Sequence, residues 1–122
     1  MNQQPQPEQT ASDEVAAALA AGIAKHGEPF ALWADDIGKA YAAEQAERFD
    51  EIYIGHYESE TAFAEEMWED SGYQQALERA MPEPLRYYVE FDAEFYARDL
   101  RLGGDVTYLP AEGGGVYVYW NM

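Results

Sequence analysis

Apolar residues recur along most of this chain at helical spacing, and the pattern is densest near its C-terminal third. Between Tyr87 and Leu102, the residues Tyr88, Phe91, Phe95 and Leu102 return at intervals of three, four and seven positions, which predicts one buried face of a helix. Glu90 and Glu94 repeat at the same period on another face, towards water. Upstream, Val15, Leu19 and Ile23 predict a first helix. Ser12 is its expected N-cap, Asp13 and Glu14 sit in the first turn, and Lys25 and His26 in the last meet the negative end of the dipole. Gly27 ends it. A second helix is expected from about Phe30 to about Arg48, with Trp33, Ile37, Ala40, Tyr41 and Ala43 or Glu44 near one face. Gly38 weakens its middle by about 1 kcal/mol relative to Ala.

The segment Phe49 to Tyr57 reads as a short extended stretch or an irregular link, on Ile52, Ile54 and its aromatics. Ser59 is placed to cap a helix running to about Ser71, with Phe63, Met67 and Trp68 inward and Gly72 as its stop. Tyr73 to about Met81 predicts a short helix with Ala76, Leu77 and Ala80 inward. Pro82 and Pro84 then break the chain. After Leu102, Gly103-Gly104 turns it. Val106–Leu109 and Val116–Trp120 are β-rich runs separated by Pro110 and Gly113-Gly114-Gly115, a terminal hairpin packed on the preceding helix.

These elements predict a mostly helical α+β fold of two small subdomains. Residues 1–12, rich in Gln and Pro, are expected to form a disordered tail. Residues 13–82 form a helical acidic part, and residues 83–122 a C-terminal helix plus β-hairpin. With 122 residues, 48% of them apolar and 15% aromatic, a sizeable core is available.

Charge changes the picture most. The chain carries 24 acidic and 7 basic residues, a net charge of −17. Such a surface repels nucleic acid and anionic membranes and draws in basic grooves at long range. The chain has no cysteine, so a disulfide framework and thiolate chemistry are excluded. No run of about 18 apolar residues is present, which excludes a helical membrane span. The N-terminus lacks the basic and apolar regions of a secretory signal, so the cytoplasm is the default compartment.

The acids are unevenly placed. No Lys or Arg occurs between Arg48 and Arg79, while Asp50, Glu51, Glu58, Glu60, Glu65, Glu66, Glu69, Asp70 and Glu78 all lie there. Glu83, Glu90 and Glu94 continue the series. On a helix, Glu65 stacks over Glu69 and Glu66 over Asp70, and each like-charge pair destabilises by about 0.2–0.5 kcal/mol. A helix selected only for stability would interleave Lys. A merely solvated face is the plain reading. The sharper one is an imitation of phosphates: 24 carboxylates match the charge of roughly 40 Å of duplex, at one charge per roughly 1.7 Å. A dimer would help to present them. An acidic adaptor or scaffold for a basic protein partner is the alternative.

Other chemistry is poorly supported. His56, Glu58 and Glu60 would share a face on an extended segment, but one imidazole and two carboxylates make a thin metal-ligand set, and Ser59 is better used as a cap. No carboxylate pair is marked out for glycoside chemistry. The Gly113–Gly115 run lacks the Lys-Ser/Thr of a phosphate-binding loop and reads as a turn. No catalytic, cofactor or metal residue is expected. Arg98, four residues after Glu94, is placed for an intrahelical ion pair.

Two patterns resemble the ArdA antirestriction family. The first is F-x-x-x-Y-x-G-x-Y-x-S, here Phe49 to Ser59, followed by an acidic helix. The second is Y-x-x-x-D-x-E-x-x-A-R-D-L, here Tyr88 to Leu100. Met81-Pro82-Glu83-Pro84-Leu85-Arg86 and the segment from Val15 to Trp33 also fit. The resemblance covers roughly residues 13–122. It implies an elongated, acidic, dimeric mimic of bent DNA, borne on mobile genetic elements, without catalytic activity. Such a protein occupies the DNA-binding groove of type I restriction–modification enzymes, and binds no nucleic acid or membrane itself. It also implies that residues 87–100 correspond to the antirestriction motif near the dimer contact. Tyr88, Phe91, Asp92, Phe95, Tyr96, Arg98, Asp99 and Leu100 would then organise the C-terminal part and the subunit contact. The carboxylates along residues 50–94 would stand for phosphates. The family's further N-terminal β-rich subdomain has no counterpart in residues 1–12, so the resemblance is to the last two of three subdomains.

Overall fold

Helix formation begins earlier than cap chemistry predicts. The computed structural model describes residues 7–121, with side chains from residue 11 onward. Its first helix, α1, runs Pro7–His26, so Ser12 lies inside it and caps nothing. Pro is well tolerated at the start of a helix, and the Glu8-Gln9 and Ala11 that follow are good helix formers. Of the expected tail, residues 1–6 lie outside the described residues and residues 7–12 are helical.

The chain divides into two compact units, one through Ile54 and one from Gly55 onward. The boundary expected at 82/83 therefore falls inside the second unit.

In the first unit, α1 is followed by α2, Glu28–Ile37, and α3, Lys39–Gln45. A 3-10 turn, Ala46–Arg48, leads into the short helix α4, Phe49–Ile52. The single helix expected from Phe30 to Arg48 is thus two, and it starts two residues sooner. Gly38 divides them at φ 103° and ψ 134°, a backbone conformation that L side chains rarely adopt. Phe30, Trp33, Ala34, Ala42, Phe49 and Ile52 form the core. Phe49 is its hub, with ring centroids 5.2 Å from both Phe30 and Trp33, 4.7 Å from His26 and 5.5 Å from Tyr53. His26 is therefore a packing residue, with Nδ1 also 3.8 Å from an Asp50 carboxylate oxygen.

The buried face of α1 differs from its apolar stripe. Ile23 is exposed, and Gly22 beside it is buried. A Cβ added to Gly22 would overlap the Phe30 ring. Ala in place of Gly normally stabilises a helix interior by about 1 kcal/mol. Here the overlap reverses the sign, because forcing a methyl into a packed core costs about 1–3 kcal/mol. Gly22→Ala is expected to lower stability, read as a fall in the urea midpoint at unchanged m-value. A rise in the midpoint would show that α1 and α2 do not pack as closely as described.

The second unit holds the expected helix-plus-hairpin. Strand β1, Tyr53–Tyr57, crosses the unit boundary and precedes α5, Glu60–Ser71. Half of the segment expected to be extended, Phe49–Ile52, is instead helical. Ser59 caps α5 as predicted, its Oγ accepting from the Ala62 N–H at 3.0 Å. Gly72 ends α5 in the left-handed conformation and starts α6, Tyr73–Ala80. On α6 only Leu77 is half-buried, while Ala76 and Ala80 face solvent. A 3-10 turn, Glu83–Tyr87, precedes α7, Ala93–Leu102.

The chain ends in β2, Val106–Pro110, and β3, Val116–Trp120, paired antiparallel with Tyr108 opposite Val118. The sheet order is β1-β3-β2. Helix α7 packs on α5 and on β2. Tyr108 ties these layers together. Its hydroxyl donates to the Ala97 carbonyl at 3.0 Å, and burial, then the nearby Glu60, pushes its pKa up to about 12. Phe63, Ala64, Ala97, Leu100, Val106, Val118 and Tyr119 complete the core. Mostly helical α+β is therefore the fold class.

The buried face of α7 is correct in period and shifted in phase. Ala97 and Leu100 are buried and Ala93 and Tyr96 half-buried. Tyr88 is 84%, Phe95 56% and Leu102 72% exposed. The cause is Asp92, whose Oδ1 accepts from the Phe95 N–H at 3.0 Å and starts the helix there. Tyr88, Glu90 and Phe91 therefore precede the helix and do not share its faces.

Candidate functional site

Helix α5 is amphipathic in an uncommon way. Phe63, Ala64 and Met67 point inward, and the opposite side carries Glu65, Glu66, Glu69 and Asp70, all exposed. The i,i+4 period sets them in two adjacent rows, Glu65 over Glu69 and Glu66 over Asp70. Residues 65–70 span about 7.5 Å of axis. That is roughly one charge per 2 Å, close to the roughly 1.7 Å of duplex DNA. Among the described residues no Lys or Arg lies within ion-pair distance of these four.

The remaining acids are partly engaged. Asp50 faces His26, and Glu51 pairs with Arg48 at 3.4 Å. Glu60 pairs with Arg101 at 3.5 Å and is only half-exposed, which removes it from a free acidic surface. Glu78 accepts from Gln74. Glu58, Glu83, Glu90 and Glu94 are exposed. Asp50 and Glu51 lie in the first unit and the others in the second.

The aromatic residues bring part of the second series beside α5. Phe91 stacks on Trp68 at 4.1 Å with the planes 10° apart, and Tyr96 meets both rings edge-on. Burial, then the nearby Tyr73, raises the Tyr96 pKa. Phe91 thereby places Glu90, Asp92 and Glu94 around a shallow hollow of about 370 Å³ that also contains Thr61. Thr61 and Glu65 are one turn apart on α5, so this acidic rim continues towards the Glu65–Glu69 row. Arg98 does not pair with Glu94. Its guanidinium lies 5.6 Å from the Phe95 ring centroid.

His56 is engaged elsewhere. His56 Nε2 lies 2.8 Å from the Gly114 carbonyl oxygen, a hydrogen bond to the hairpin loop. Among the described residues no group of three or more His, Asp or Glu side chains is arranged to hold a metal ion. Among them, too, no helix is long and apolar enough to cross a membrane.

One contact of the acidic face escaped the sequence. Tyr57, from β1, donates its hydroxyl hydrogen bond to the Glu66 carboxylate. The alternation in Tyr53-Ile54-Gly55-His56-Tyr57 hints at a strand, yet no spacing rule links residue 57 to residue 66.

A family model described as antirestriction protein (ArdA) matches residues 7–114. The chain belongs to the ArdA antirestriction family. The match takes in both ArdA-like patterns, the acidic helix α5 and the first strand of the hairpin, and reaches six residues further towards the N-terminus than the motif resemblance. No curated protein and no solved structure matches the chain. Membership in ArdA implies antirestriction activity, and hence a protein partner within a restriction–modification system. Of the ArdA-like motif residues, Asp92 is the α7 cap, Leu100 is core and Tyr96 is half-buried. Phe91 is the shelf against Trp68. Tyr88, Phe95, Arg98 and Asp99 are exposed.

Proposed function

We propose that this ArdA-family chain is a non-catalytic mimic of duplex DNA that occupies the DNA-binding groove of type I restriction–modification enzymes. The observation that carries the reading is the α5 face, where Glu65, Glu66, Glu69 and Asp70 stand exposed, with no cation partner among the described residues, at nearly the charge density of DNA. A groove lined with cations for phosphates is drawn to such a face by the same Coulomb attraction, which salt screens. The exposed carboxylates Glu58, Glu83, Glu90 and Glu94 extend the same field. Glu60, paired with Arg101, contributes less.

The reading includes a homodimer in the cytoplasm. Tyr87 and Tyr88, at 82% and 84% exposure, together with Val89, Phe95 and Leu102, leave an apolar surface suited to a second copy. Binding goes to protein, and neither nucleic acid nor membrane is contacted directly, since −17 repels both.

Purified protein should displace duplex from a type I enzyme, with an affinity that falls steeply as salt rises. In cells, its expression should relieve restriction of an unmodified plasmid. Light scattering at micromolar concentration should give twice the 13.8 kDa chain mass. Absence of relief against several type I systems, together with no displacement in vitro, would reject the mimic. A partner that binds no nucleic acid would favour an acidic adaptor.

A further inference from the structure

We infer that Tyr57 is a positioning residue that fixes Glu66, making Glu66 the reference carboxylate of the acidic face and the one that contributes most per charge to partner binding. The inference rests on the mimic reading and goes beyond it by ranking the carboxylates.

Four exposed carboxylates on one helix are not equivalent. Glu65, Glu69 and Asp70 are exposed, and their carboxylates have no hydrogen-bond or ion-pair partner among the described residues. Glu66 accepts a hydrogen bond from the Tyr57 hydroxyl. Tyr57 is itself held. Its ring meets Phe63, a fully buried residue of the same helix, edge-on at 5.1 Å. Its carbonyl lies against Gly115, where a Cβ would collide with it. His56, the neighbouring residue, bonds the Gly114 carbonyl at 2.8 Å. The hydroxyl is thus carried by the sheet and the core, and it hands that order to one oxygen on the acidic face.

Order is worth affinity. A long side chain immobilised on binding costs about 0.5–1.5 kcal/mol, and a side chain already held avoids most of that. The three unpartnered carboxylates incur this cost when a cationic groove closes on them. Glu66 incurs little. The same hydrogen bond turns Glu66 towards the β1 side of α5, the row it shares with Asp70, so it also fixes where a partner guanidinium must sit.

The test is a double-mutant cycle in displacement of duplex from a type I enzyme, using Tyr57→Phe, Glu66→Gln and the pair. Phe keeps the ring against Phe63 and removes only the hydroxyl. Tyr57→Phe should weaken displacement by about two- to tenfold. On the Glu66→Gln background it should add nothing. Glu66→Gln should cost more than Glu65→Gln, Glu69→Gln or Asp70→Asn made singly. Circular dichroism and thermal midpoints should show all variants folded. Equal losses from Tyr57→Phe with and without Glu66, or no loss at all, would overturn the inference. Wild-type protein that fails to displace duplex would overturn the mimic reading, and the inference with it.

Discussion

Changing Glu65, Glu66, Glu69 and Asp70 together to Gln, Gln, Gln and Asn should weaken displacement of duplex from a type I enzyme by on the order of a hundredfold, at roughly 0.5–1 kcal/mol per lost charge contact. The same protein should be more stable than its parent. Two like-charge i,i+4 pairs disappear, each worth about 0.2–0.5 kcal/mol of helix destabilisation. The opposite signs are the point of the experiment. A variant that lost binding by unfolding would lose both together. The salt dependence should flatten as well, since each carboxylate removed takes away one salt-screened charge contact. A fully active quadruple variant would move the binding surface off α5. A variant with unchanged slope would show that its charges never met a cationic groove.

Phe49→Ala should cost about 3–5 kcal/mol, the usual penalty for removing a buried aromatic ring. Phe49 is 1% exposed and meets four rings, His26, Phe30, Trp33 and Tyr53. It joins the end of α1, the body of α2 and the start of β1. Small domains have only about 5–15 kcal/mol of stability in total, so the first unit should lose cooperative unfolding near room temperature. Denaturant curves read by tryptophan fluorescence will report this through Trp33, which packs directly on Phe49. A loss below about 1 kcal/mol, the range of a surface substitution, would mean that the ring cluster does not hold the unit together. Because Phe49 opens the first ArdA-like pattern, its place in that pattern has a packing explanation.

Local chemistry made some of this architecture legible and left other parts hidden. The Ser59 cap, the Gly72 stop and the terminal hairpin follow from side chains within three or four residues of the feature they control. Gly38 was visible as a weak point of about 1 kcal/mol, which does not by itself divide a helix. Its positive φ does, and a backbone angle leaves no trace in composition. Gly22 was invisible because hydrophobic periodicity counts side chains, and this position is buried by lacking one. In the Tyr88–Leu102 stretch two helix registers competed, and the Asp92 cap selected the later one. That shifted the buried face from Tyr88 and Phe95 to Tyr96, Ala97 and Leu100. The acidic surface was legible because Glu65, Glu66, Glu69 and Asp70 need only a helix and water to be exposed. The pairing of Glu60 was not legible, since its partner Arg101 lies on another helix. Tyr57 stayed hidden for the same reason: its bond to Glu66 joins a strand to a helix through tertiary packing.

The hairpin loop offers one practical opening. Gly114 and Gly115 have φ of 106° and 75°, and Gly115 is pressed on β1, whereas Gly113 has an ordinary φ and open space around its missing side chain. The chain contains no cysteine. Gly113→Cys would therefore introduce a lone thiol on an accessible tip, where a fluorophore reports the protein's encounters without disturbing a packed residue.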